Sequence, residues 1–299
     1  MNYNIILFIL IILVLSLIGY YWKKKDNSNI EHFQSQIIKD NYSDIYDTFY
    51  SNIYDKLFNS SLKNEFEIYN IKNYTLDKYK GKVNILDVGC GTGHHLQLFK
   101  NLKYNCIGLD KSLKMLSIAR KNNPTLELVK GDYHNRSVFK NREFSHIICL
   151  FYTIYYSQDP LKVFQNFNYW LKPNGYLCIH LIHRDKFDPI LEKSSSLIPL
   201  FNPQKKQKTR KTKTTLHFNN FKYISDWEFN KKKVTFTENF LFKKKPIIRK
   251  NVHSFKINKV SYYIKLLNHC GFKLIKIIDL RTVNHEFNGV YIFKKIYGK

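Results

Sequence analysis

Paired cysteines are missing from this chain. It has five cysteines, yet no two of them stand in a C-x-x-C arrangement. Small disulfide frameworks and structural zinc sites depend on closely paired cysteines, so the spacing excludes both. Cys90, Cys106, Cys149 and Cys178 fall in or beside predicted core strands, and Cys270 falls at a helix end. The sequence therefore predicts buried free thiols, a reducing compartment and no metal site.

Arginine is also scarce, although the chain is strongly basic. The formal net charge is +26, and only seven of the 49 basic residues are arginine, which leaves 42 lysines. Arginine contacts phosphates and bases through a planar, bidentate fork that lysine lacks. The charge alone is compatible with nucleic acid as a partner. Because arginine is so rare, sequence-specific RNA recognition is the least favoured interpretation.

Charge is absent from residues 5–22, an apolar run near the start of the chain. As a helix this run would be ~27 Å long, just enough for the hydrocarbon core of a membrane. Its aromatic end and the three lysines at 23–25 would place the following domain in the cytosol. A cleaved signal peptide fits less well, because no lysine or arginine precedes the run. We therefore expect a transmembrane anchor over residues 1–25 and a single-pass membrane protein with a cytosolic catalytic domain.

Apolar strands and helices alternate through most of the remaining chain. Residues 26–40 are predicted to be a polar linker, and residues 41–70 to be helical with tyrosines at 46, 50 and 54 that pack on a core. From residue 82, apolar strands alternate with helices, which is typical of a parallel sheet covered on both faces. Residues 186–255 differ, because they carry 17 basic against 5 acidic residues and show the alternation of antiparallel strands. The chain closes with a helix and two strands.

The strand "NILDV" runs into a turn with three alternating glycines, Gly89, Gly91 and Gly93. Glycines at this place bring backbone N–H groups close to a ligand at the start of a helix. In a dinucleotide-binding G-x-G-x-x-G turn the third glycine would fall at residue 94, which is histidine here. Asp87, two residues before the first glycine, is a poor neighbour for a pyrophosphate and a good one for an ammonium or sulfonium charge. The turn therefore favours a cationic ligand.

This turn resembles the first motif of the class I S-adenosylmethionine-dependent methyltransferases, (D/E)-x-G-x-G-x-G, which is DVGCGTG over residues 87–93. The segments IGLDKSLKMLSIARKNNP, LVKGDYHN and FSHIICLF…LKPNGYLCIHLI follow in the order of that family. The resemblance covers about residues 40–185 and 256–299. It implies a doubly wound, mostly parallel seven-stranded α/β sheet with an antiparallel β-rich insertion before the last helix and strand. We predict a methyltransferase domain over residues 41–299, with residues 186–255 as a basic lid over the site.

The resemblance implies S-adenosylmethionine as the cofactor. The glycine turn with Asp87 would hold its methionine part, Asp110 the ribose hydroxyls, and Asp132 with Tyr133 the adenine. The residues expected to bind the cofactor follow strands of the sheet: Asp87, Gly89, Cys90, Gly91, Gly93, Asp110, Lys111, Asp132, Tyr133 and Leu150.

The methyl acceptor is expected at the carboxyl ends of strands four and five, where ligands of such sheets bind. Tyr152, Tyr155 and Tyr156 are predicted to line its site. Many members of the resembled family carry two histidines where this chain has Tyr155 and Tyr156. The identity of the acceptor therefore does not follow from the resemblance.

Two residues are weak candidates for catalysis, Tyr155 and His183. A general base is needed only if the acceptor arrives protonated. His180 is better explained as a polar group at a strand end. His94 and His95 lie at the start of the helix that follows the glycine turn, where they are expected to touch the cofactor or cap the turn.

We predict a methyltransferase that acts on a small-molecule or lipid-like acceptor at a membrane. Two alternatives stay open. The chain could be an RNA or protein methyltransferase that docks through the basic insertion, or a non-catalytic scaffold that keeps the fold. The basic insertion fits a solvated surface best, then contact with anionic lipid headgroups, and then nucleic acid. The sequence carries no signal for an oligomeric state.

Overall fold

The computed structural model describes residues 3–28, 35–191, 210, 212–230 and 233–296. Its helices are α1 (Tyr3–Ser28), α2 (Tyr42–Ile45), α3 (Thr48–Phe58), α4 (Ser61–Tyr74), α5 (His94–Asn101), α6 (Leu113–Asn122), α7 (Pro160–Trp170) and α8 (Val260–His269). Its strands are β1 (Ser35–Lys39), β2 (Asn84–Val88), β3 (Asn105–Asp110), β4 (Glu127–Lys130), β5 (Phe144–Cys149), β6 (Leu171–Ile182), β7 (Thr214–His217), β8 (Phe221–Phe229), β9 (Val234–Phe242), β10 (Ile247–Phe255), β11 (Phe272–Asp279) and β12 (Asn288–Lys295).

A seven-stranded sheet forms the centre of the molecule, in the order β11-β12-β6-β5-β2-β3-β4. β12 is antiparallel to both of its neighbours, and the strands from β6 to β4 pair in parallel. Ile85, Leu86 and Ile147 in its middle strands are completely buried, because hydrophobic clusters cover both faces. This burial explains the continuous apolar runs of the sequence. The predicted class I sheet is confirmed, and the carboxyl ends of its parallel strands meet at one edge.

The lysine-rich insertion contributes a second sheet, in the order β1-β10-β9-β8-β7. β7 to β10 are antiparallel to one another, as their alternating pattern predicted. Part of the predicted linker differs from the expectation, since Ser35–Lys39 is a strand that pairs in parallel with β10. Most of the run NPQKKQKTRKTKTT lies outside the described residues.

The helical stretch before the sheet consists of α2, α3 and α4, with breaks between them. Tyr46 and Tyr50 are buried, and the ring of Tyr50 lies 6.1 Å from that of Phe240 and 6.0 Å from that of His253. The tyrosine stripe therefore packs as predicted, but it does so against the second sheet, and its three rings also line a cavity there. These helices and that sheet close over the edge where the central strands end.

The structure corrects the prediction of a membrane anchor. Residues 5–22 lie in α1, and this helix continues through the three lysines that were expected to end it. Within the ranges given above, no helix is both long and apolar enough to cross a membrane. The run was only just long enough for a span, so the prediction rested on a marginal length. The predicted transmembrane helix and the predicted single-pass membrane location are therefore wrong.

Candidate active site

The glycine turn joins β2 to α5 with a backbone that only glycine adopts easily. Gly89, Gly91 and Gly93 have φ angles of 70°, 55° and 84°. A Cβ on Gly89 would lie 2.5 Å from Cγ2 of Thr153, so that a side chain here would collide as well as strain the backbone. Gly93 is the N-cap of α5. The turn thus leaves a hollow at the edge of the sheet, between β2 and the loop after β5.

Asp87 lines a small cavity beside this turn, together with Cys90 and Leu150. Its side chain is buried, and its Oδ2 atom has no hydrogen-bond partner among the described residues. Burial raises the pKa of Asp87 to about 6. A buried, unpartnered carboxylate oxygen fits a ligand that brings a cationic donor, such as an ammonium group.

Lys63 lines the same cavity, and sequence reasoning missed it. Its ammonium group lies 3.0 Å from Oε2 of buried Glu67 and 5.4 Å from the centre of the Phe151 ring. His95 contacts the same Glu67 oxygen at 3.0 Å. Although burial acts in the opposite direction, Lys63 and His95 hold the pKa of Glu67 well below its usual range. On a helix, a Lys-Glu pair at i and i+4 is typical of a solvent-exposed face, so no sequence signal pointed to the cavity.

Asp110 ends β3 and faces the glycine turn. Its Oδ2 accepts a hydrogen bond from the Gly91 N–H at 2.9 Å, and its Oδ1 accepts one from the Ser112 N–H at 2.8 Å. The hydroxyl of Tyr42 also donates to Oδ1, at 3.3 Å. Burial raises the pKa of Asp110, and these hydrogen bonds oppose the rise. The structure therefore brings Gly91 and Asp110 together at the sheet edge, as the motifs predicted.

Asp132 and Tyr133 line the larger cavity that continues from the turn. Lys111 donates to Oδ2 of Asp132 at 3.0 Å, and the N–H of His134 donates to Oδ1 at 2.9 Å. Burial would raise the pKa of Asp132, but the hydrogen bonds from His134 and Lys111 lower it to about 2. The carboxylate is therefore ionised and already engaged on both oxygens. The hydroxyl of Tyr133 donates to the carbonyl of Thr153 at 3.3 Å.

The larger cavity is lined mainly by aromatic side chains from the helices, the central sheet and the second sheet. Tyr152 and Tyr156 belong to its lining, as predicted. Tyr155 does not, because it is buried in the hydrophobic core, where its hydroxyl accepts a hydrogen bond from the N–H of Ile182 at 2.8 Å. His183 is exposed and lies outside the lining of either cavity at the turn. The structure therefore does not bring either predicted catalytic residue to this site.

The other histidines that the sequence singled out, His94, His95 and His180, lie close to their expected places. His94 and His95 line the small cavity, and Nε2 of His94 lies 3.1 Å from Oδ2 of Asp55. His180 is buried beside β5, with Nδ1 at 3.0 Å from the carbonyl oxygen of Phe151. Burial lowers the pKa of His180 to about 3, so that it stays neutral.

The second sheet contributes a polar pair that sequence reasoning also missed. His253 lines the larger cavity, with Nδ1 at 2.6 Å from the hydroxyl of Tyr156 and Nε2 at 2.7 Å from Oε2 of Glu238. The alternating pattern of β9 offered a signal. In VTFTENFLF the alternate positions Val234, Phe236, Glu238 and Phe240 are buried, as is Leu241. A carboxylate at an inward position of a strand is unusual and needs a partner.

Comparison with known proteins agrees with this geometry. Residues 85–175 match a family described as a methyltransferase domain. A dTDP-3-amino-3,6-dideoxy-alpha-D-glucopyranose N,N-dimethyltransferase of Streptomyces fradiae is 41% identical over 71 residues, which are 24% of this chain and 27% of that protein. A dTDP-3-amino-3,4,6-trideoxy-alpha-D-glucopyranose N,N-dimethyltransferase of Streptomyces venezuelae is 32% identical over 99 residues, 32% of this chain and 41% of that protein. The matches thus span less than half of either relative.

Solved structures show the same fold. The S-adenosylmethionine-bound structure of an amino pentose methyltransferase from Micromonospora echinaspora superposes with a TM-score of 0.58 at 17% identity, over 83% of this chain and 98% of that one. At this identity the likeness bears on the fold alone. Residues 85–175 therefore match a methyltransferase domain, in a chain that has the class I methyltransferase fold. Both findings agree with the enzyme class that the motifs predicted.

Proposed function

We propose that this chain transfers a methyl group from S-adenosylmethionine to an amine of a small molecule. The observation that carries the proposal is the charge pattern of the small cavity, which holds a buried carboxylate and a buried ammonium group. Asp87 presents a carboxylate oxygen without a partner among the described residues, and Lys63 lies in the same lining. A carboxylate and a cation together complement the ammonium and carboxylate groups of an α-amino acid.

Different residues around the turn are suited to bind the different parts of S-adenosylmethionine. Asp87 and Lys63 would hold the methionine part, with Gly89, Gly91, Gly93, Cys90 and Leu150 forming its walls. Asp110 would accept hydrogen bonds from the ribose hydroxyls, and Asp132, Tyr133 and Lys111 would line the adenine part. When bound, S-adenosylmethionine supplies a methyl group on a positively charged sulfur. The chain has to position a nucleophile beside it in a dry cavity.

An amine as the acceptor is supported by the two curated relatives, both of which are named as N,N-dimethyltransferases of amino sugars. The aromatic cavity agrees with this class of acceptor, because aromatic faces attract cationic groups and exclude water. The membrane setting that motivated a lipid-like acceptor is not supported.

The alternative of an RNA methyltransferase that docks through the basic insertion is weakened by what its two arginines contact. The guanidinium of Arg210 lies 4.5 Å and 4.2 Å from the rings of Phe187 and Phe229. Arg249 is buried and paired with Asp47 at 2.8 Å. Both are used for packing within the chain.

Calorimetric titration of the full chain with S-adenosylmethionine and with S-adenosylhomocysteine tests the cofactor. We expect micromolar binding of both, weakened at least tenfold in Asp110→Asn, because the amide no longer provides a charged acceptor. Asp279→Asn, an exposed residue at the far end of the sheet, serves as the matched control and should bind normally. A folded protein that binds neither compound would overturn the proposal in favour of a non-catalytic scaffold.

The acceptor is tested by incubation of the full chain with labelled S-adenosylmethionine and either dTDP-linked amino sugars or RNA. Label on the nitrogen of the sugar is the expected result. Label on RNA alone, with salt-sensitive binding, would contradict it and favour the docking alternative.

A further inference from the structure

Glu238, His253 and Tyr156 form a connected polar chain on one wall of the aromatic cavity. Oε2 of Glu238 lies 2.7 Å from Nε2 of His253, and Nδ1 of His253 lies 2.6 Å from the hydroxyl of Tyr156. That hydroxyl lies 2.9 Å from the hydroxyl of Tyr46. Glu238 and His253 are 0% and 2% exposed. Tyr156 and His253 line the same cavity as Gly89 and Asp110, so these hydrogen-bonded side chains face the place proposed for methyl transfer.

The partners of Glu238 fix the direction of this hydrogen-bond chain. Oε1 accepts from the hydroxyl of Tyr223 at 2.8 Å, and Oε2 accepts from the side-chain amide of Asn251 at 3.2 Å. A carboxylate held by donors receives a further donor from His253, which places the ring proton on Nε2. Nδ1 then carries the lone pair and accepts from the hydroxyl of Tyr156. The hydroxyl of Tyr46 then donates to the oxygen of Tyr156 at 2.9 Å, and this oxygen keeps one further lone pair for a donor in the cavity.

Tyr156 can relay a proton to His253, but it is not suited to be the final base. Burial raises the pKa of Tyr156 and of Tyr46 well above the ordinary value, so that both phenols stay protonated. The charged and titratable groups that face His253 or its partners are Glu238, Tyr46, Tyr50, Tyr156, Tyr223 and the Arg249–Asp47 pair. Of these, Glu238 is the carboxylate that contacts the ring.

We propose that Tyr156 and His253 take a proton from the amine acceptor before it is methylated, with Glu238 as the residue that positions His253. An aliphatic amine arrives as an ammonium ion, which has no lone pair. One N–H bond of the acceptor breaks as its proton moves to the oxygen of Tyr156, and the proton of Tyr156 moves to Nδ1 of His253. His253 becomes an imidazolium next to the Glu238 carboxylate. The freed lone pair forms the bond to the methyl carbon, and the positive charge lost by the departing sulfur appears on the nitrogen. The proposal rests on the proposed function.

The tautomer of His253 tests the proposal without cofactor or acceptor. In the full chain labelled with ¹⁵N-histidine, the signal that disappears in His253→Asn belongs to His253. We expect its proton on Nε2 near neutral pH. In Glu238→Gln this preference should weaken. His217→Asn, an exposed histidine on the same sheet, is the control. A proton on Nδ1 in the wild-type protein would overturn the proposal, because that atom could not accept another.

Kinetics with a dTDP-linked amino sugar give the second test. General base catalysis is worth about 10²–10⁴-fold, and we expect kcat to fall about 10²-fold in His253→Asn and Tyr156→Phe at neutral pH. Both variants should recover as the pH rises, since the amine then loses its proton to solvent. A structural defect would lower the rate equally at every pH, and undiminished rates would also overturn the relay. If the wild-type protein methylates no amine, the proposed function fails while the tautomer measurement still decides on the relay.

Discussion

The Asp87 carboxylate is buried near the end of β2. Its burial lowers the free energy of unfolding when no ligand is bound. Its pKa is raised by burial from 3.8 to about 6. The folded state therefore binds more protons than the unfolded chain between these values, so that stability is lost as the pH rises from about 4 to about 6. At 1.36 kcal/mol per pKa unit, the loss amounts to about 3 kcal/mol at neutral pH.

Asp87→Asn should therefore raise the free energy of unfolding of the ligand-free protein at pH 7 by up to about 3 kcal/mol and remove this pH dependence. The same change should weaken binding of S-adenosylhomocysteine, because its ammonium group loses a charged partner. Urea titrations at several pH values, with Asp279→Asn as the control, measure the first effect and calorimetry the second. A variant with the wild-type pH profile would show that Asp87 is solvated.

At the scale of elements, the side chain of Arg249 links β10 to Asp47, the N-cap of α3. Arg249 on β10 donates from one terminal nitrogen to both oxygens of Asp47, at 2.9 Å and 2.8 Å, and from the other to the carbonyl of Ile45 at 2.9 Å. Its Nε donates to Asn251 at 2.9 Å, and Asn251 contacts Glu238. This polar contact between the helices and the second sheet thus also supports the residues around His253.

Arg249→Leu should lower the free energy of unfolding by about 2–4 kcal/mol, because it leaves a carboxylate and buried acceptors without their donor. Asp47 is itself 35% exposed, which keeps the loss toward the lower end. Urea unfolding measures the effect. Arg281→Leu removes an exposed pair with Asp279 and should change stability by less than about 0.5 kcal/mol. Equal effects of the two substitutions would show that the buried contact does not join the elements.

For the whole molecule, the central sheet was predictable because its middle strands β2, β5 and β6 are almost entirely buried and carry continuous apolar runs. β1 was not, since its five residues lie in a polar context and pair with Ile247–Asn251, more than 200 positions away. Asp87 and Asp110 were found through the local glycine turn. Lys63 and His253 come from a helix before the sheet and from the insertion, so only tertiary contacts bring them to the site. Of the missed residues, only Glu238 left a local signal, as a charge at an inward strand position.

The assembled cavity makes a prediction about the whole molecule. Tyr42 from α2, Tyr54 from α3, Asp110 from β3 and His253 from β10 all line it, so a ligand there contacts the helices and both sheets. S-adenosylhomocysteine at about 100 times its Kd should raise the free energy of unfolding by about 2.7 kcal/mol, and Tm by roughly 4 °C. Amide hydrogen exchange should slow in α3 and β10 as well as at the end of β3, because opening any of these elements would release the ligand. Asp110→Asn at the same ligand concentration should show a smaller shift. Slower exchange confined to the central sheet would mean that the helices and the second sheet do not close over the ligand.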